Sequence, residues 1–442
     1  MAITSAFPRL AVEYLPIEAV TLDTENPRRH SPAQIRQIAA SIEAFAFNAP
    51  ILVDRSGRVI AGHGRVLAMK RLGRVEIPVI RLEHLSPEQA RAFAIADNRL
   101  VETSSWDETL LARHFKTLAG LDLSFDLEAT GFAVGEIDLM IEGLEVAPAA
   151  DDPDDDPVPP GPPVARAADL WRLGRHVIVG ADALDPSSYV RLLGEERVAM
   201  VLADPPYNVA INGHVSVGGK IAQREFAMAS GEMSEVEFTA FLTAACERMA
   251  AVCAPGALCF LFMDWAHIFN LLTAGIAVFA DLVNICVWAK SPPGMGGLYR
   301  SAHEMIAVFQ ASPGRHRNNV ELGRYGRSRS NVWAYPSGRN FGRGEEADLT
   351  RWHPTPKPVQ MLADAILDVT ARGELVLDPF LGSGSTLIAA ERVGRVARGL
   401  ELDPLYVDLT IRRWMRLTGE DAVREDGARF SVLEAAASES DA

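Results

Sequence analysis

Between Ser31 and Asn98 the apolar positions alternate between helix spacing and strand spacing. Ser31-Pro32 caps and opens a helix whose Ile35, Ile38, Ala39 and Ile42 share one face. Ile51-Leu52-Val53 and Val59-Ile60-Ala61 flank Asp54-Arg55-Ser56-Gly57, a hairpin pattern. Val66 to Leu72 ends at Gly73, and Ser86-Pro87 starts a further helix toward Asn98. These elements predict a small α+β unit. From His176 onward the pattern changes to apolar runs with few polar interruptions, as in strands covered on both faces. They are His176–Val179, Val198–Leu202, Ala257–Phe262, Leu282–Trp288, Glu304–Phe309, Leu375–Leu377 and Ala397–Leu400. Amphipathic stretches at Glu235–Val252 and Val359–Thr370 predict helices. The alternation predicts an α/β class, a doubly wound and mostly parallel sheet.

The periodicity stops between Ala147 and Pro163, where alanine, aspartate and proline dominate. That composition predicts a semi-rigid, self-repelling linker. The expected organisation is an α+β domain over 1–146, an acidic Pro-rich linker over 147–168, an α/β domain over 169–428 and a flexible tail over 429–442. Hydrophobic content of 48% and charged content of 23% exclude a disordered or membrane-embedded class. No secretory leader is read at Met1–Pro8, and the four cysteines lack Cys-x-x-Cys spacing. Reduced thiols and a cytoplasmic location are therefore expected. The net charge of -15 argues against a polyanionic partner until its distribution is considered. Asp151, Asp152, Asp154, Asp155 and Asp156 concentrate acid in the linker. Leu298 to Arg343 instead carries Arg300, Arg315, Arg317, Arg324, Arg327, Arg329, Arg339 and Arg343 against Glu304 and Glu321. These arginines are interleaved with Tyr299, Tyr325, Trp333, Tyr335 and Phe341. A DNA-reading region is expected at about 290–351.

Two motifs carry chemistry. Asp204-Pro205-Pro206-Tyr207 follows the run Val198–Ala203, so a carboxylate, a stiff diproline and an aromatic ring leave the carboxyl end of a buried strand. A planar ligand bearing an amino group can lie on Tyr207 and donate to Asp204. Over four residues, a proline-stiffened turn would read the same. Asp378-Pro379-Phe380-Leu381-Gly382-Ser383-Gly384-Ser385-Thr386 lies between a strand and a helix. Gly382 and Gly384 permit a tight turn and close approach of a ligand, and Ser385 or Thr386 is placed to cap the helix. Glu401 ends the next strand, where Rossmann-type sites put an acid on a ribose. Leu387 stands where a dinucleotide fingerprint needs Gly or Ala, and no Gly-Lys-Ser/Thr is present. The loop therefore favours S-adenosylmethionine, whose cationic end Asp378 suits, over a pyrophosphate ligand.

Asp-Pro-Pro-Tyr at 204–207, Trp352-His353-Pro354-Thr355-Pro356-Lys357-Pro358 and Asp-Pro-Phe-Leu-Gly-Ser-Gly-Ser at 378–385 resemble the DNA N6-adenine/N4-cytosine methyltransferases. Their order resembles the permuted β group, in which the catalytic motif precedes the cofactor loop. The resemblance implies a Rossmann-like methyltransferase sheet. It also implies catalysis by Asp204, Pro205, Pro206 and Tyr207. The cofactor would lie against Asp378, Phe380, Gly382, Gly384 and Ser385, with Glu401 on its ribose, Asp182 at its adenine end and Thr355 and Lys357 at its methionine end. Pro356 departs from the usual Gln. Double-stranded DNA is the implied partner, with Arg300, Arg315, Arg317, Arg324, Arg327 and Arg329 as DNA-binding candidates and no metal. The implied reaction is direct methyl transfer to a flipped base, adenine N6 being favoured by Asp at the first motif position and cytosine N4 remaining the alternative. Restriction-modification is the implied setting.

Asn26-Pro27-Arg28-Arg29, Ala39-Ala40-Ser41-Ile42, Ala49-Pro50-Ile51 and Ala61-Gly62-His63-Gly64-Arg65 resemble the ParB/sulfiredoxin-like domain. That resemblance implies an accessory module with a nucleotide-phosphate turn at Gly62–Arg65, here altered by His63 and Gly64. A ParB-like DNA- or nucleotide-binding protein with a vestigial transferase domain is a second reading. An RNA or protein N-methyltransferase is a third, and a homodimer is left open.

Overall fold

Residues 9–102, 106–121, 123–142, 161–208, 232–291, 299–320, 329–336 and 357–440 are described by the computed structural model, and the chain divides into two units between Glu145 and Val146. The first unit contains β1 (Val12–Pro16), α1 (Pro32–Phe45), β2 (Ile51–Val53), β3 (Val59–Ala61), α2 (His63–Arg71), β4 (Glu76–Arg81) and α3 (Pro87–Glu102). Its sheet has the order β1-β4-β2-β3. Ser31 Oγ accepts the Gln34 amide at 3.1 Å, which satisfies a free donor at the start of α1. The Asp54 carboxylate accepts the amides of Ser56 and Arg58, and Gly57 turns left-handed at φ 85°, so the β2–β3 hairpin closes on its own polar residues. Ile17, Val20, Ile51, Val53, Val59, Val66, Met69, Ile77 and Val79 form its core.

The rest of this unit is helical, with α4 (Glu108–Ala119) and α5 (Val134–Glu142) around a second small core of Phe115, Leu127, Ile137 and Ile141. Residues 1–146 were expected to be one α+β unit, and the described part holds two hydrophobic clusters. The spacing of Leu111, Phe115 and Leu118 brings one face of α4 onto α5, separate from the sheet.

The second unit runs β5 (Leu170–Leu173), β6 (His176–Val179), α6 (Pro186–Leu193), β7 (Val198–Ala203), α7 (Glu235–Val252), β8 (Cys253–Met263), α8 (Ile268–Val278), β9 (Asp281–Ser291), β10 (His303–Gln310), β11 (Val332–Pro336), α9 (Val359–Val369), β12 (Leu375–Asp378), α10 (Ser385–Arg392), β13 (Val396–Leu400), α11 (Pro404–Thr418), β14 (Val423–Arg424) and α12 (Phe430–Ser440). One ten-stranded sheet has the order β11-β9-β10-β8-β7-β12-β13-β6-β5-β14. The centre, β8-β7-β12-β13-β6, is parallel, while β10 runs antiparallel to both β8 and β9, and β5 to β6. Alternate residues of β8 feed opposite layers. Leu258, Phe260 and Phe262 meet α9 and α10, whereas Cys259, Leu261 and Met263 meet the layer of α6, α7 and α8. Among the described residues no helix is long and apolar enough to cross a membrane.

Both expected flexible ends of this unit are docked where they are described. Val164 and Ala165, inside the expected linker, are buried and donate their amides at 2.8 Å to the two oxygens of the fully buried Asp408. A buried carboxylate needs such donors, so the chain is held at Val164 and Ala165. Residues 147–160 of the expected linker lie outside the described residues. The expected tail instead forms α12. Phe430 is fully buried edge-on to Trp171 at 5.5 Å, and Glu434 pairs with Arg412 at 2.7 Å. One large apolar residue outweighs the frayed composition that follows it. Phe430→Ala should cost about 3–5 kcal/mol, read as a lowered urea midpoint of Trp fluorescence. A loss below about 1 kcal/mol would put α12 outside the folded unit.

Candidate active site at the carboxyl edge of the large sheet

β7 and β12 are parallel neighbours, with Met200 opposite Val376 and Val201 opposite Leu377. Their carboxyl ends therefore deliver Asp204 and Asp378 to the same edge, and the two charges interact. β10 runs the other way, with Met305 opposite Met263, so its first residues reach that edge as well. Glu304 is one of them. Lys290, near the end of β9, and Lys357, just before α9, complete the cluster.

The Tyr207 hydroxyl lies 2.6 Å from Asp204 Oδ1 and 3.2 Å from Glu304 Oε2, and its single proton goes to the nearer oxygen. Lys357 Nζ donates to Asp204 Oδ2 at 2.5 Å and lies 3.1 Å from Glu304 Oε2. Lys290 pairs with Glu304 Oε1. The Lys357 ammonium also lies 5.5 Å from the Tyr207 ring centre and 5.2 Å from that of Phe262. Burial alone would favour a neutral Lys357. A pair of unit charges about 4 Å apart attracts by about 4 kcal/mol at the effective dielectric of such sites, and here there are two carboxylates. Attraction wins, and the Lys357 ammonium is held above its ordinary range. Burial raises Glu304, but Lys357 and Lys290 outweigh it and leave the carboxyl below its usual value. Burial, with the Asp204 and Glu304 charges, pushes the Tyr207 phenol well up, so it stays a proton donor.

The second motif folds around two carboxyls. Asp378 is buried, and its oxygens accept the Phe380 amide at 3.0 Å and the Thr386 hydroxyl at 2.7 Å. Glu401 accepts the Gly382 amide at 2.7 Å and the Asp403 amide at 2.8 Å. Burial pushes both acids up to about 7, against the lowering effect of these hydrogen bonds. Gly382 and Gly384 are left-handed, at φ 52° and 81°. A Cβ at Gly384 would meet Thr410 at 2.6 Å, so that position needs glycine to pack against α11. At Gly382 a Cβ would meet only the Phe380 carbonyl, at 3.9 Å, so this side of the loop is open to a ligand. Capping by Ser385 or Thr386 was expected. Instead Gly384 occupies the cap, Arg413 holds Ser385 Oγ at 3.1 Å, and Thr386 turns back to Asp378.

Asp204, Pro205, Pro206 and Tyr207 and the residues Asp378, Phe380, Gly382, Gly384, Ser385 and Glu401 are thus gathered at one sheet edge. Asp182 follows β6 and accepts the Leu184 amide at 2.8 Å. Lys357, expected at the methionine end of a cofactor, has its ammonium engaged by Asp204 and Glu304. Asp378, expected to face the cofactor's cation, also accepts the Phe380 amide and the Thr386 hydroxyl.

The arginine expectations divide by strand direction. Arg300 precedes β10 and is exposed on the side of Asp204. Arg315 and Arg317 follow the far end of β10 at the opposite edge, and Arg317 pairs with Glu374 at 3.5 Å. Neither is brought to the site. Arg329 is partly buried: it pairs with Asp368 at 2.7 Å and Asp364 at 3.1 Å, donates to the Tyr335 hydroxyl at 3.0 Å, and lies over buried Trp333. Thr355, Arg324 and Arg327 lie outside the described residues, as do 292–298, 321–328 and 337–351 of the expected DNA-reading region. Glu304 and Lys290 were missed as site residues. Their signal was a charged residue at the end of each of two otherwise apolar runs, visible only once the strands are paired. In the first unit, Gly62 turns left-handed into α2, His63 accepts the Asp23 amide at 3.3 Å and Arg65 is spent on the Ala49 and Pro50 carbonyls.

Residues 198–412 match the family described as DNA methylase, of the N6/N4 type, 4–99 match the ParB N-terminal domain, and 109–167 match the ParB-methyltransferase HTH domain. Type II methyltransferase M2.DpnII of Streptococcus pneumoniae is 24% identical over 243 residues, covering 52% of this chain and 87% of that protein. The ParB-like nuclease domain-containing protein YnaK of Escherichia coli (strain K12) is 40% identical over 81 residues, 18% of this chain and 93% of that protein. Among solved structures, the PvuII DNA methyltransferase (cytosine-N4-specific) superposes with a TM-score of 0.42 at 16% identity, covering 57% of this chain and 89% of that one. The chain is an S-adenosylmethionine-dependent DNA methyltransferase of the N6-adenine/N4-cytosine family carrying ParB and ParB-methyltransferase HTH domains at its N-terminal side. The HTH match covers α4 from its second residue and all of α5, the helical part that the sequence pattern had merged with the α+β unit.

Carboxyls favoured in their neutral form stabilise the fold below their unfolded values, and that contribution is lost as pH rises through the folded ones. From the ordinary values of 4.5 for Glu401 and 3.8 for Asp378 up to about 7, both should make the urea midpoint fall. Glu401→Gln should flatten this slope. An unchanged slope would show that Glu401 is not buried against the loop.

Proposed function

We propose that this chain transfers a methyl group from S-adenosylmethionine to the exocyclic N6 of adenine in double-stranded DNA, on a base turned out of the duplex onto Asp204–Tyr207. One observation carries the reading: the Asp204 carboxylate and Tyr207 leave β7 at the same edge where the neighbouring β12 opens into the Gly382/Gly384 loop. The loop fits the cofactor, because Gly382 leaves one side clear and Glu401 lies against its amide. Gly382, Phe380 and Glu401 would hold it, with Asp182 nearby at the end of β6. When bound, the cofactor supplies an electrophilic methyl group on a sulfonium.

The chain's own task is to make a poor nucleophile better. The lone pair of adenine's amino group is delocalised into its ring. Asp204 can accept one amine hydrogen and the Pro205 carbonyl, left free by the diproline, the other. Accepting them favours a tetrahedral nitrogen, so catalysis is positioning and electrostatics without a covalent enzyme intermediate. Turning the base out costs a few kcal/mol, and stacking on Tyr207 returns roughly 1–3 kcal/mol. Asp at the first motif position favours adenine. Among the described arginines of the expected DNA-reading region Arg300 is the one best placed to meet DNA, and the N-terminal unit serves as an accessory module. The setting is a cytoplasmic modification enzyme.

Unmethylated DNA incubated with labelled cofactor should yield N6-methyladenine. Asp204→Ala should slow this by roughly 10²–10³-fold or more while calorimetric cofactor binding persists. Product confined to cytosine N4 would overturn the base assignment, and cofactor binding without any nucleic-acid methylation would overturn the reaction.

A further inference from the structure

Glu304 lies outside both sequence motifs yet touches three groups around Asp204. Its side chain is 12% exposed, its Oε2 lies 3.2 Å from the Tyr207 hydroxyl and 3.1 Å from Lys357 Nζ, and its Oε1 pairs with Lys290. The charged and titratable groups facing one another here are Asp204 and Tyr207 after β7, Lys290 of β9, Glu304 of β10, Lys357 ahead of α9, and Asp378 of β12, whose charge reaches Asp204. Two ammoniums thus face two carboxylates at the cluster's centre, and Lys357 is shared between them.

Sharing matters for the acceptor. A Lys357 without Glu304 would close on Asp204 alone, and a charge-assisted hydrogen bond to one buried ammonium weakens the carboxylate toward any other donor. With Glu304 present, the ammonium is divided between two carboxylates. Lys290 neutralises Glu304 from the far side, which keeps Lys357 from being drawn off Asp204. The lysines hold Glu304 ionised despite its burial.

We propose that Glu304 is a positioning residue for methyl transfer, dividing Lys357 with Asp204 so that Asp204 keeps acceptor capacity for the substrate's amino group. This rests on the methyl-transfer reading above. Glu304 acts through its neighbours and touches neither base nor methyl donor.

Two measurements on the full chain separate this from a structural ion pair. Amine-reactive labelling, read by peptide mass spectrometry against the exposed Lys70, should modify Lys357 several-fold faster in Glu304→Gln, because half of its carboxylate shell is gone. An unchanged labelling ratio would overturn the sharing of Lys357, whether or not the protein methylates DNA. In single-turnover methylation, Glu304→Gln should lower the saturated rate roughly 10- to 100-fold while the Kd for S-adenosylmethionine and for DNA stays within about twofold. Glu304→Asp should recover part of the rate. Glu304→Gln strands Lys290, so Lys290→Met/Glu304→Gln guards against misfolding. The double variant should regain the wild-type unfolding midpoint and remain slow. A double variant as fast as wild type, or a loss confined to Kd, would overturn the positioning role. Wild-type protein without methylation would instead overturn the reaction, leaving the labelling ratio to decide the charge sharing.

Discussion

The Lys357 ammonium between Asp204 and Glu304 is the contact on which the candidate site depends. Without that cation, two carboxylates at the ends of β7 and β10 would repel across a poorly solvated sheet edge, and one would take up a proton. With it, Asp204 stays available at the end of β7 and Tyr207 is held as a donor beside it. Lys357 comes from the segment before α9, far along the chain from β7 and β10. The site therefore exists only after the sheet has closed around its central strands.

The same edge carries a second electrostatic compromise. Asp378 and Glu401 are buried where their ionised forms are disfavoured, and backbone and hydroxyl donors only partly offset this. Both groups are used to shape the glycine loop, Asp378 through Phe380 and Thr386, Glu401 through Gly382. The large sheet makes this possible because both its faces are covered, so polar groups collect at the strand ends rather than along the strands.

Much of this arrangement was legible in the chain. Strand runs such as Val198–Ala203 and Leu375–Asp378 are too apolar to be anything but interior, and Pro205-Pro206 and Gly382/Gly384 mark where they stop. Less legible were elements whose evidence is a single anchor: Phe430 makes a helix of a segment that reads as tail, and Val164 with Ala165 binds the end of a segment that reads as linker. The arginine count misled for a related reason. Arg329 differs from Arg300 not in its neighbours along the chain but in having Asp364 and Asp368 of α9 beside it.

Sequence by itself determined the strand–helix alternation, the two motifs, their order and the chemistry their residue types allow, because those follow from local period and side-chain type. Tertiary structure alone decided which charges meet. Strand direction put Glu304 at the site and Arg315 and Arg317 at the opposite edge, and strand pairing brought Lys290 beside Glu304. It also moved Lys357 from an expected cofactor contact to the carboxylate it neutralises. Electrostatic partnership falls off over a few ångströms in space, and separation along the chain carries no measure of that distance.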